Sequence, residues 1–166
     1  MTRLLVAYGS RRGSTAEIAG WIGEALRGRG IEVEVADAGS VRDVTPYDAV
    51  VLGGALYAGH WHKDARRFAR RHARALSGRP VWLFSSGPLD RSAEEADIPP
   101  VPQVARASAA LHAVDHRTFG GRLAHDATGF IASAIAKRSG GDYRDPDRMR
   151  AWARRVAEDL TATRHA

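Results

Sequence analysis

The sequence contains no cysteine. That absence excludes disulfides, thiolate metal sites and reactive-thiol chemistry, and it fits a reducing compartment. No apolar run approaches the roughly 18 residues that a membrane-spanning helix needs. Met1-Thr2-Arg3 leads into a short apolar segment without a small-residue cleavage site, so no signal peptide is expected. A soluble, cytoplasmic protein is the expectation. Internal repeats and low-complexity segments are also missing.

What is present is a chain of 166 residues. That length suits a single compact domain, 1–166, with a core that needs no staples. The formal net charge is +6, from 25 Lys and Arg against 19 Asp and Glu. A basic surface favours anionic partners. The arginines, however, are scattered along several elements, which favours solvated helix faces. A nucleic-acid binder would show basic and aromatic residues clustered on one face, and no such cluster is evident, so no nucleic-acid partner is expected.

Short apolar runs alternate with helical periodicity. Leu4 to Tyr8 is a continuous apolar run, the mark of a buried parallel strand. Ile18, Trp21, Ile22, Ala25 and Leu26 then form a helical stripe, ended by Gly28 and Gly30. Ile31 to Ala36 alternates apolar and acidic residues, as an edge strand does. Thr45-Pro46 breaks the chain before a third strand, Ala49 to Leu52. The stripe Ala65, Phe68, Ala69, His72 and Leu76 follows, stopped by Gly78, and Val81 to Phe84 makes a fourth strand. His72, on that apolar face, is expected to be a half-buried, satisfied histidine.

After a Pro-rich charged loop, Val104, Ala105, Ser108 and Leu111 predict a helix, and Ala113 to Phe119 contains a fifth strand. Ala127, Phe130, Ile131, Ala134 and Ile135 predict an extra short helix. Asp145-Pro146 opens the last helix, with Met149, Trp152, Ala153, Val156 and Leu160 as its apolar face. Alternating strands and helices with short links imply parallel strands, right-handed crossovers and ligand binding beyond the carboxyl ends of the strands.

The stretch VAYGSRRGSTAEIA, from Val6 to Ala19, lies at such an end. The helix starting near Ser14 presents unpaired amides and a positive dipole end, which suit a phosphate. Gly9 and Gly13 admit close backbone approach. Ser10, Ser14 and Thr15 add hydroxyls, and Arg11 and Arg12 can add charge-assisted bonds. The spacing fits neither a Walker loop nor the dinucleotide fingerprint, and a hydroxyl-rich helix cap remains the bland alternative. Two more loops bear on the choice. The third strand ends in LGGALYAGHWH, Leu52 to His62, whose glycines allow close approach and whose Tyr57, His60 and Trp61 bring flat side chains. Tyr57 and Trp61 read either as a ring clamp or as core. The fourth strand ends in SSGPLD, Ser85 to Asp90.

The motif YGSRRGSTAEIA resembles the FMN phosphate loop of the flavodoxin family: a hydroxyl residue, two variable positions, Gly, a small polar residue and Thr. Ser10, Gly13, Ser14 and Thr15 match it. YDAVVLGGALYAGHWHKDARRF and SGGDYRDPDRMRAWARRVA are closer to the branch that includes the flavodoxin-like, menaquinone-dependent protoporphyrinogen oxidases. The resemblance implies an α/β three-layer sandwich with a five-stranded parallel sheet in order 2-1-3-4-5 and helices on both faces. It further implies that Ser10, Arg11, Arg12, Gly13, Ser14 and Thr15 bind the FMN phosphate. Ala55, Leu56, Tyr57, Ala58, Gly59 and His60 would line one side of the ring, with backbone near Tyr57, Ala58 and Gly59 bonding the reduced ring. Ser86, Gly87, Pro88, Leu89 and Asp90 would line the other side and the pyrimidine edge.

Two departures stand out. The third loop holds no aromatic, so Pro88, Leu89 or a partner would cover that face. Ordinary flavodoxins are acidic, whereas this chain is basic. The implied function is FMN-dependent electron transfer between a donor and an acceptor such as a quinone, with no catalytic side chain and no metal required. The alternatives are protoporphyrinogen oxidation with a quinone acceptor, or a non-redox module binding a phosphorylated ligand. A redox partner protein or quinone is implied. The stripe from Phe130 to Ile135, with Lys137 and Arg138, would permit peripheral membrane contact, although covering the sheet is its commoner use.

Overall fold

The computed structural model describes residues 2–10, 13–87, 98–123, 141–142 and 144–165. The expected short helix around residues 127–135 and the cations Lys137 and Arg138 lie outside the described residues.

Strand β1 (Arg3–Gly9) leads into helix α1 (Ser14–Arg27), and β2 (Glu32–Asp37) follows. Next come β3 (Ala49–Tyr57), the short β4 (His60–Trp61) and α2 (Lys63–His72). Then β5 (Val81–Ser86), α3 (Pro102–Leu111) and β6 (Asp115–Phe119) complete the main sheet. Arg122–Leu123 (β7) and Gly141–Asp142 (β8) pair as a separate antiparallel ribbon before α4 (Pro146–His165).

Five parallel strands run in the order β2-β1-β3-β5-β6, which is the expected 2-1-3-4-5 of the main strands. From β1 the chain first builds outward to β2, then crosses to the other side of β1 with β3. This reversal is the switch point where such sheets hold ligands.

Alternation along β1 explains the layers. Leu4 and Val6 face Ile18, Ile22 and Leu26 of α1 and Met149, Trp152 and Val156 of α4. Leu5 and Ala7 face Phe68 of α2 and Val104 and Leu111 of α3. Both faces are covered, so β1 must be apolar throughout. At the edge, β2 exposes Glu32 and Glu34 and half-buries Val33 and Val35. The opposite edge, β6, tolerates Asp115, His116 and Arg117 for the same reason. Asp115 is also used there, its carboxylate accepting from Trp152 Nε1 at 3.0 Å.

Three boundaries differ from expectation. β3 does not stop at Leu52 but continues to Tyr57, turns through Ala58 and Gly59, and returns as β4. Both turn residues have positive φ, 51° and 77°, the pattern of a type I′ hairpin turn. Helix α2 ends at His72; Leu76 reaches the core through a run of turns, its N–H donating to the His72 carbonyl at 2.9 Å. β5 extends two residues further, to Ser86, because Ser85 and Ser86 pair with Gly54 and Ala55.

Candidate functional site

Strands β1, β3 and β5 are neighbours and end in step. Gly9 pairs with Gly54, and Ala55 with Ser86. Their loops therefore converge at one sheet edge, as the parallel topology requires. Arg11, Arg12, Pro88, Leu89 and Asp90 lie outside the described residues; the other expected site residues can be placed.

The first loop is unusual for its unpaired groups. Gly13 occupies the N-cap of α1 at φ 81°, a left-handed conformation open to glycine, and no side chain among the described residues caps the helix. Thr15 is fully buried, yet its Oγ1 has no hydrogen-bond partner among the described residues. Ser10 Oγ is likewise buried and unpartnered. A buried hydroxyl left unpaired costs about 1–3 kcal/mol, so this turn concentrates polar atoms that the described chain leaves unsatisfied. Ser14 is half-buried. Its carbonyl accepts from Arg144 Nη1 at 3.4 Å.

The second loop behaves differently. A Cβ on Gly53 would lie 1.9 Å from Phe84 Cζ, and one on Gly54 would lie 2.4 Å from Trp61 Nε1. These glycines make room for core rings and do not admit a ligand. Trp61 is 1% exposed; its Nε1 donates to the Gly54 carbonyl at 3.1 Å, and its amide donates to Gln103 Oε1 at 3.0 Å. Its role is therefore core packing, which decides the choice left open for it. Ala55 is buried, Leu56 and Tyr57 are half-buried, and Ala58, Gly59 and His60 are exposed at the hairpin tip. His62 caps α2, accepting from the Asp64 amide through Nδ1 at 3.1 Å, and its ring centroid lies 6.1 Å from that of Tyr57.

At the third loop, Ser85 Oγ and His116 Nε2 are 2.9 Å apart. Burial pushes the His116 pKa down to about 4, and its Nδ1 has no partner among the described residues. Ser86 is buried, and the Gly87 amide donates to the Phe119 carbonyl at 3.1 Å. A Cβ on Gly87 would meet Leu56 at 2.9 Å, so the second and third loops are in direct contact. His72, away from this edge, is buried against Phe68 rather than half-buried; burial lowers its pKa, and Nε2 has no partner among the described residues.

One nearby residue escaped the sequence reading. The Arg144 side chain is only 4% exposed and lies 3.2 Å from Glu17 Oε2. Its guanidinium also lies 4.9 Å from the Trp21 ring centroid. It ties the segment before α4 to the first turn of α1, where its charge is balanced by Glu17. Nothing local signals a pairing with Ser14 from 130 residues away.

Among the described residues, no helix is long and apolar enough to cross a membrane. Comparison with known proteins gives consistent matches. The Flavodoxin domain family matches residues 5–139. Protoporphyrinogen IX dehydrogenase (quinone) of Escherichia coli K12 is 30% identical over 95 residues, covering 56% of this chain and 52% of that protein. The match thus spans about half the length of this curated relative. Among solved structures, a flavodoxin of Streptococcus pneumonia TIGR4 superposes with a TM-score of 0.63 at 17% identity, over 95% of this chain and 99% of that one. The rubredoxin oxygen:oxidoreductase of Desulfovibrio gigas gives 0.66 at 12% identity, over all of this chain and 38% of that one. At such identities the structural matches establish the fold.

Proposed function

The chain belongs to the flavodoxin domain family, and on that premise we propose that it is an FMN-binding redox protein passing electrons between a donor and an acceptor such as a quinone. The observation that carries this reading is the pair of buried, unpartnered hydroxyls, Ser10 Oγ and Thr15 Oγ1, beside the uncapped start of α1. Hydroxyls and helix amides together fit a phosphate monoester.

Ser10, Gly13, Ser14 and Thr15 would hold the phosphate. Backbone at the exposed turn of Ala58 and Gly59, with Tyr57, would border the ring on one side, and Ser86 and Gly87 on the other. When bound, the flavin supplies the one- and two-electron chemistry. The protein's share is to grip the anion and to fix the surrounding backbone, which the hairpin and the Leu56 contact with Gly87 do.

Titration of flavin-free protein with FMN and with riboflavin tests the grip directly. FMN should bind more tightly by roughly tenfold to a hundredfold, the scale of several charge-assisted hydrogen bonds. Equal affinity for the two, or none, would sink the reading. A narrower reading, protoporphyrinogen oxidation, draws on the partial match to the E. coli dehydrogenase. It predicts turnover of protoporphyrinogen with a menaquinone analogue by the purified, FMN-loaded protein.

A further inference from the structure

Residues 63–79 contain seven of the chain's 25 Lys and Arg and one of its 19 Asp and Glu. Eighteen of each remain elsewhere, so the whole formal charge of +6 resides in α2 and the turns after it. The arginines are scattered along several elements, as expected, but only here do carboxylates fail to balance them. Two of the seven cations serve the fold: Arg66 Nε donates to the Trp61 carbonyl, and Arg79 Nη1 to the carbonyls of Val44, Thr45 and Tyr47. The other five, Lys63, Arg67, Arg70, Arg71 and Arg74, are exposed, and no ion pair joins them to another described residue. Spacings of four, three and one place Lys63, Arg67, Arg70 and Arg71 on one face of α2, and Arg74 follows in the turns beyond it. From position 63 to 71 the helix rises about 12 Å.

This stripe starts at the candidate site. A Cβ on Gly9, where β1 meets the phosphate loop, would touch Ala65 N and His62 Nδ1 at 3.0 Å, so the first turn of α2 abuts that loop. The ring contact of His62 with Tyr57 ties the same turn to the hairpin.

We propose that the exposed face of α2 docks an acidic redox protein beside the hairpin tip at Ala58 and Gly59. The redox character of the partner rests on the flavin reading above; the docking rests on the charge. Four of the five cations are arginines, whose forks match surface carboxylates. Electron-transfer encounters are small and steered by complementary charge. A lipid surface fits less well, because Val114, outside α2, is the large apolar side chain that stands exposed among the described residues. A nucleic acid fits less well too, since α2 exposes no aromatic, Asn or Gln side chain to stack on or read bases.

The test measures binding of a plant-type [2Fe–2S] ferredoxin, which is acidic, and of cytochrome c, which is basic. Both are titrated against the full chain, with and without added FMN. Ferredoxin should bind more tightly than cytochrome c. Its affinity should fall at least tenfold as ionic strength rises from about 0.01 to 0.15 M, where the Debye length contracts from about 30 to 8 Å. The variant Arg67→Gln/Arg70→Gln/Arg71→Gln/Arg74→Gln should lose roughly tenfold or more. The control Arg154→Gln/Arg155→Gln, on α4, should bind as the wild type does. The proposal is overturned if cytochrome c binds as well, if the α2 variant retains ferredoxin affinity, or if the α4 variant loses it equally. It is also overturned if the α2 substitutions abolish binding to phosphatidylserine vesicles or to a DNA duplex while sparing ferredoxin. Ferredoxin binding without any FMN binding would refute the flavin reading and leave the docking face standing.

Discussion

The first and second loops contain similar residues and use them in opposite ways. Ser10, Gly13 and Thr15 surround polar atoms that the described chain does not satisfy. Gly53, Gly54 and Trp61 satisfy and fill one another and their neighbours, through the Phe84 ring and the Trp61 hydrogen bonds. In a sequence, both segments appear as glycine-rich interruptions after an apolar run. The difference lies in where the partners come from. The second loop completes its own bonds and belongs to the core, whereas the first leaves two buried hydroxyls unmatched among the described residues.

The comparison is broken most forcefully at Gly53. Gly53→Ala places a methyl 1.9 Å from Phe84. It should destabilise the protein by about 3 kcal/mol, the upper range for overpacking a tight core. Urea denaturation measures this, and adding Phe84→Leu should restore part of the loss. An unchanged midpoint would mean that the strand is not packed as described.

His116, between the two extremes, has one nitrogen on Ser85 and one unpartnered. Burial holds its pKa at about 4, below the ordinary 6.5. The folded state therefore binds fewer protons than the unfolded chain. Stability is full above pH 6.5 and declines as pH falls towards 4, by on the order of 3 kcal/mol from this group. His116→Gln should flatten that slope; the remainder would come from groups such as His72, whose shift has the same sign. A slope unaffected by the substitution would contradict the burial of the imidazole.

The smallest effect is also the most discriminating. Thr15→Val removes the unpartnered hydroxyl without changing shape. Ligand-free protein should become more stable by about 1 kcal/mol, while FMN affinity falls roughly tenfold. Opposite signs in thermal unfolding and flavin titration are the signature of a donor reserved for a ligand. A loss in both would make Thr15 an ordinary core residue.

Much of the architecture was legible because periodicity registers burial. β1 is apolar at every position from Leu4 to Ala7, and α4 shows its stripe at Met149, Trp152, Val156 and Leu160. The boundary of β3 was not legible, since Gly53-Gly54 carries a loop signal and the rings that require those glycines, Phe84 and Trp61, come later in the chain. Arg144 was missed because its contacts with Ser14, Glu17 and Trp21 are made by the fold alone. The phosphate-loop candidates could be named from hydroxyls at a strand-to-helix turn and from the flavodoxin resemblance, but their unpaired state is a three-dimensional fact.

The hairpin tip carries a consequence for engineering. Space around Gly59 is open, an added Cβ meeting nothing within 4 Å, but its φ of 77° strains any residue with a side chain, so the turn suits insertion rather than replacement of Gly59. Extra residues grafted between Tyr57 and His60 would project outward and leave the pairing of those two as an anchor. Libraries at this edge of the sheet should therefore lengthen the tip and leave the paired glycines behind it untouched.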